Sequence, residues 1–121
     1  MENLQVRITK LLMGVGVNPG ILGYKYLRSG IEKVYTDDEI IQRMTKGLYP
    51  AIAEEHNTTP SRVERAIRHA IEQAFNCMRP STVSEYFGYV VQYESGKVTN
   101  TAFIACLVEY LRMEDIKEGQ E

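Results

Sequence analysis

Between Leu48 and Glu72 the chain reads LYPAIAEEHNTTPSRVERAIRHAIE: a short helical segment, a turn, and a longer helical segment. Thr59 followed by Pro60 is a strong helix start, because a threonine side chain caps free N–H groups and proline suits the first helical position. On a helical wheel at about 100° per residue, with Arg62 as zero, Val63, Ala66, Ile67, Ala70, Ile71 and Ala74 fall between about 40° and 180°. Ser61, Arg62, Glu64, Arg65, Arg68, His69 and Glu72 fill the arc from about 200° to 360°. The helix therefore packs by a face of small apolar residues, which implies a close neighbour helix, and shows three arginines and a histidine on the other.

Upstream, Pro50 either kinks the helix that reaches it or is the first residue of a short new one, PAIAEEH. Asn57, Thr58 and Thr59 then form the turn. Ala53 in the first helix and Val63 ten residues later in the second match the spacing of a helix-turn-helix unit. There the small residue lets the helices cross and the apolar one plugs the angle between them. Asn57 stands where glycine is commonest, and asparagine tolerates the left-handed backbone nearly as well. The unit spans a first helix of about 49–56 and a recognition helix of about 60–75.

Further out, Leu4, Ile8, Leu11, Leu12 and Val15 recur at helical spacing until GVGVNPG (14–20) stops the run. LGYKYLRSGIEKVY (22–35) reads as a second helix, with Gly23 and Gly30 seven apart on one face, where another helix can approach closely. Thr36 and Asp37 cap a third helix opening on DDE (37–39) and running through IIQRMTKGLY. After the recognition helix, TVSEYF (82–87) predicts a shorter helix ended by Gly88. GYVVQYESGK (88–97) predicts an extended loop with a turn at Ser95 and Gly96. A last helix starts after Thr99 or Asn100 and leads into an acidic tail, 114–121. The expectation is all-α: about six helices containing a helix-turn-helix, no sheet, one domain over residues 1–121.

The 121 residues carry 14 Lys+Arg against 16 Asp+Glu, a net charge of −2, which at first sight argues against nucleic acid. Location changes that. Glu114, Asp115, Glu118 and Glu121 against Lys117 give residues 114–121 a charge of −3, leaving +1 for the other 113. No apolar run is long enough to span a bilayer, and the N-terminus has no signal-peptide pattern, so the expected setting is the cytoplasm with no membrane partner. Cys77 and Cys106 lack zinc or redox spacing and read as buried small hydrophobes.

Enzyme chemistry finds no purchase. GVGVNPG follows a helix rather than a strand and lacks GxGxxG spacing. His56 and His69 are thirteen apart without HExxH spacing or nearby cysteines, and His56 reads as a solvent-side residue ending its helix. No catalytic residue, cofactor or metal is expected. The eight tyrosines are scattered and read as half-buried core rather than a base-stacking platform.

The arginine face points instead to double-stranded DNA. The cationic side chains of a solvated helix face are usually lysine mixed with glutamate, whereas this face carries arginine and no lysine, and the arginine fork suits guanine edges and phosphates. The candidate contacts are Thr59, Ser61, Arg62, Glu64, Arg65, Arg68 and His69. Arg62 and Arg65 can donate to guanine, Glu64 can accept from cytosine N4, and Ser61 with the free N–H groups near Thr59 can hold a phosphate. The alternative for Glu64 is an ion pair with a neighbouring arginine.

These residues resemble a known family. Residues 48–72 are similar to the helix-turn-helix of the C-terminal effector domain of stage-zero sporulation protein A, a response regulator of endospore formation. GVGVNPGILGYKYLR (14–28), EYFGY (85–89) and TNTAFIACLVEYLRM (99–113) resemble the family's equivalent stretches at the same spacing. The resemblance implies a six-helix domain that recognises an element close to TGTCGAA, often as tandem head-to-tail copies, with Arg62, Glu64, Arg65, Arg68 and His69 at recognition positions. It also implies contact with the sigma subunit of RNA polymerase through the region after Phe75, where FNCMRPSTVSEYFGYVV (75–91) departs more from the family. Two further departures are the lack of the family's receiver domain in these residues, so that phosphorylation control is not carried over, and an ending more acidic than the family's. A rival reading is an interaction module that has lost DNA binding and modulates a homologous regulator.

Overall fold

A computed structural model describes residues 2–93 and 98–119. The described residues form six α-helices and no strand. α1 (Leu4–Gly14) is capped by Asn3, whose side chain accepts from the Val6 N–H at 2.9 Å. Its exit passes through Gly16 at φ +94, a conformation a side chain would resist. α2 (Leu22–Thr36) is the central element and packs against α1, against α3 (Tyr49–Glu55), against α4 (Pro60–Cys77) and against α6 (Asn100–Gly119). Its Leu27 and Ile31 are fully buried. α5 (Pro80–Tyr93) lies on α6.

The two glycines of α2 do share an approach role, but with different neighbours. A β-carbon on Gly23 would stand 2.2 Å from the Ala66 carbonyl oxygen and 2.7 Å from the Ala70 β-carbon, so α2 and α4 meet backbone to backbone. At Gly30 the nearest atom is the Ile52 Cδ1 of α3, at 3.2 Å. The small apolar face of α4 is thus used as its periodicity requires: Val63, Ile67 and Ala70 are fully buried, and Ile71 and Ala74 nearly so.

The single helix expected from Asp37 to Tyr49 is broken. Asp38–Gln42 forms a 3₁₀ turn capped by Asp37, Arg43 leaves helical geometry (φ −129, ψ 58), and Met44–Leu48 forms a π-type turn. The Arg43 carbonyl accepts from both Gly47 and Leu48 N–H, at 2.8 and 2.9 Å. Pro50 has no N–H for the carbonyl one turn back and its ring crowds that carbonyl, so a wider turn precedes the short α3.

Three further expectations need correction. Gly88 does not end a helix: α5 continues to Tyr93, so residues 88–93 are helical rather than extended, while the turn expected at Ser95 and Gly96 lies outside the described residues. Packing outweighs the glycine. Phe87 is buried, 5.2 Å from Phe75 and stacked at 5.0 Å on Phe103 between ring centroids, which anchors the middle of α5. Cys77, the last residue of α4, is exposed and Cys106 of α6 is half-buried, so neither is the fully buried small hydrophobe expected. Finally, residues 114–119 are the closing turns of α6 rather than a separate tail. Arg7 bridges to Asp115 at 2.9 Å and Glu114 at 3.4 Å and donates to the Leu111 carbonyl, while Tyr35 donates to Asp115.

Candidate nucleic-acid interface

α3 ends where its backbone turns left-handed. The His56 N–H closes the last turn on the Ile52 carbonyl at 3.1 Å, and Asn57 then adopts φ +54, as its place in the turn requires. The Thr58 N–H returns to the Ala53 carbonyl at 3.0 Å. Thr59 is extended (φ −110, ψ 151), and its hydroxyl accepts from the Arg62 N–H at 3.3 Å, with Pro60 opening α4. Ala53 and Val63, at 3% and 0% exposure, lie inside the angle between the two helices. Helix, tight turn and helix are therefore held by local hydrogen bonds on one side and apolar contact on the other.

On the outer side of α4, Ser61, Arg62, Arg65, Arg68 and His69 are exposed and Glu64 is partly so; Thr59 is exposed at the turn. All seven expected site residues thus lie on one surface. They are not equivalent. Arg68 and Glu64 form a two-oxygen ion pair one turn apart, with the second contact at 2.7 Å. The side chains of Arg62, Arg65 and His69 make no ion pair or hydrogen bond among the described residues. A shallow groove beside this face is walled by Leu22 and Gly23 of α2 and by Arg65, Arg68 and His69.

His56 is not the solvent-side residue expected. Its side chain is 21% exposed, its ring meets Tyr26 edge-on at 5.2 Å, and Nε2 lies 3.2 Å from Glu55. Glu55 in turn accepts from Lys33 at 2.8 Å and from Ser29 at 2.6 Å, and these two bonds hold its carboxyl below the ordinary glutamate range. This cluster ties the end of α3 to α2.

Two residues that periodicity did not single out stand behind the face. Tyr49 is buried, and burial pushes its phenol up. The Asn100 side-chain amide donates to the Tyr49 hydroxyl at 3.1 Å and to the Glu64 carbonyl at 3.2 Å. Contacts across 51 and 36 residues of chain leave no local sequence signal. No helix among the described residues is long and apolar enough to cross a membrane, and no cluster of potential metal ligands occurs among them.

An all-α domain that offers a cationic helix face beside a short helix and a tight turn has an arrangement of the kind that DNA-binding domains use. The family is a particular one. The family model described as "Sporulation initiation factor Spo0A C terminal" matches residues 8–111, and the chain belongs to that family. It is a family of DNA-binding transcription-regulator domains and not of enzymes.

Proposed function

We propose that this chain, as one effector domain over residues 1–121, is a sequence-specific transcription regulator that lays α4 in the major groove of double-stranded DNA. α3 and α4 form its helix-turn-helix, with α4 as the recognition helix. The observation that carries the reading is the exposure of Arg62, Arg65 and His69, without an ion pair or side-chain hydrogen bond among the described residues, on the outer face of a helix whose other face buries Val63, Ile67, Ala70, Ile71 and Ala74. An arginine face solvated for stability alone gains little from leaving its guanidinium groups unpaired. Arg62 and Arg65 read guanine edges. Thr59 and Ser61, at the exposed start of α4, meet a phosphate at the positive end of the helix dipole.

Glu64 and Arg68 enter as a pair. An exposed ion pair one turn apart contributes about 0.3–0.5 kcal/mol, less than a base contact returns, so DNA can open it and take Glu64 to cytosine and Arg68 to a phosphate. The resemblance extends the proposal to an element similar to TGTCGAA, to head-to-tail occupation of tandem elements, and to a sigma-subunit contact through residues 78–91.

Fluorescence-anisotropy titration against a duplex carrying TGTCGAA and a scrambled duplex tests the reading. The matched duplex should bind more tightly, and log K should fall with log salt by about 0.9 per phosphate neutralised. Equal and salt-independent affinity for the two duplexes refutes it and leaves the interaction-module reading.

A further inference from the structure

Three helices meet at one side-chain amide. Asn100 opens α6, and its Nδ2 reaches both the hydroxyl of Tyr49, the first residue of α3, and the backbone carbonyl of Glu64, in the half of α4 that carries Arg62, Glu64 and Arg65. Both partners require a donor or tolerate one: the Glu64 carbonyl can only accept, which fixes the amide nitrogen, rather than its oxygen, at this position. The two Nδ2 hydrogens then serve two helices. The neighbouring Thr99 caps α6 independently, its hydroxyl accepting from the Ala102 N–H at 3.1 Å, so Asn100 is not needed for that task.

The local packing gives the amide leverage. α4 is fixed from behind by α2 at the Gly23–Ala66 approach and from within the motif by Ala53 and Val63. Those contacts resist separation of the helices, and the Gly23–Ala66 approach sets the side of α4 that faces α2, but neither ties α4 to α3 and α6 through a directional bond. A hydrogen bond to one named carbonyl is directional and marks one position along α4. Within the DNA-binding reading, on which this inference rests, a rotation of α4 about its axis moves Arg62 and Arg65 off their base edges while leaving positive charge near phosphate.

We propose that Asn100 is a specificity-positioning residue: through the Tyr49 hydroxyl and the Glu64 carbonyl it sets the rotation and register of α4 relative to α3, and thereby the alignment of Arg62 and Arg65 with the bases. It touches no base itself. Removing its donors costs discrimination between sequences more than it costs attraction to DNA.

The test uses the full chain and two neutral variants, Asn100→Leu, which removes both donors at similar volume, and Tyr49→Phe, which removes one acceptor and keeps the buried ring. Affinities for the TGTCGAA duplex and its scrambled version are measured by anisotropy at one salt concentration, with the folded fraction followed by circular dichroism. For Asn100→Leu, matched affinity should fall about tenfold while scrambled affinity changes less than about twofold; for Tyr49→Phe the matched loss should be about threefold. A wild-type matched-to-scrambled ratio in folded variants overturns the proposal, as does an equal loss on both duplexes in proportion to unfolding. Should Asn100→Leu not fold, Tyr49→Phe decides by the same ratio. If wild-type chain itself does not distinguish the duplexes, the DNA reading has failed and the base alignment with it, and only the setting of α4 by Asn100 is then judged, by nitrogen-15 NMR. Slowed solvent exchange of the Asn100 side-chain amide, with shifted Arg62–Arg65 backbone resonances in Tyr49→Phe, supports it. Fast exchange and unmoved resonances overturn it.

Discussion

Replacing each α2 glycine by alanine separates packing from helix propensity. By propensity alone both changes stabilise, by at most about 1 kcal/mol each, and less at Gly23 because it lies in the first turn. The surroundings reverse one of them. At Gly23 the added carbon meets the Ala66 carbonyl oxygen at 2.2 Å, an atom of the α4 backbone, with the Ala66 carbonyl carbon at 2.8 Å and the Ala70 β-carbon at 2.7 Å. Ordinary contact needs about 3.5 Å, so α4 must shift by about 1 Å against a filled core.

Overpacking of this kind costs about 1–3 kcal/mol, and a rigid backbone obstacle belongs at the upper end, which leaves a net loss of about 2 kcal/mol after the propensity gain. At Gly30 the nearest atoms are the Ile52 Cδ1 at 3.2 Å and the Ile104 Cδ1 at 3.7 Å, both ends of flexible side chains that can yield by a few tenths of an ångström. Gly30→Ala should be neutral or stabilising by up to about 0.5 kcal/mol. Urea unfolding followed by circular dichroism measures both, and Gly23→Ala should also lower Tm by roughly 6–12 °C. If Gly23→Ala is as stable as Gly30→Ala, the close approach of α2 and α4 is not a feature of the folded protein.

Arg62→Ala and Arg65→Ala should each lose about 1–3 kcal/mol of discrimination between matched and mismatched duplexes, with Tm changed by no more than about 3 °C, as expected for an exposed site. A variant that melts early yet keeps its discrimination would make that arginine structural. Arg7→Met removes the charge that Asp115, Glu114 and the Leu111 carbonyl share, and should destabilise by about 1–3 kcal/mol in urea unfolding, with no change in the matched-to-scrambled affinity ratio. Glu55 has a lowered folded-state pKa, from Lys33 first and Ser29 second. Its contribution is therefore complete above the unfolded-state value and lost as pH falls through the folded one. Glu55→Gln should flatten the decline of stability below about pH 4 while leaving the neutral-pH curve parallel to wild type, and an unchanged acid limb would contradict the pairing.

What could be read from the sequence was local. Thr59–Pro60, the left-handed Asn57 and the alanine face of α4 are each set by residues within one or two turns, and all appear in the structure. The seven-residue spacing of Gly23 and Gly30 announced a close approach but not its partners, because nothing local says that one meets α4 and the other α3. Cys77 falls on the apolar side of the α4 wheel yet is exposed, since periodicity reports a face and not whether every residue on it is covered. Residues 88–93 have strand-like composition, and a short apolar run does not distinguish strand from helix until Phe87 is seen against Phe75 and Phe103. Asn100 had only a capping role open to it by position, and its contacts with Tyr49 and Glu64 are wholly tertiary.

The net charge of −2 is the clearest case of a number that geometry reinterprets. Glu114 and Asp115 are partly neutralised by Arg7, whose side chain is 14% exposed. The rest of the separation is distance. α6 begins at Asn100, against the carbonyl of Glu64, and fourteen residues of helix at about 1.5 Å each put Glu114 about 21 Å further along its axis. At physiological ionic strength the screening length is about 8 Å, so the acidic end of α6 acts weakly on charge near α4. The arginine face therefore meets an anion with nearly its own local field, while the attraction that draws whole molecules together from afar remains small. A domain built this way gains its affinity at contact rather than in approach, which makes the alignment of Arg62 and Arg65 matter more than their number.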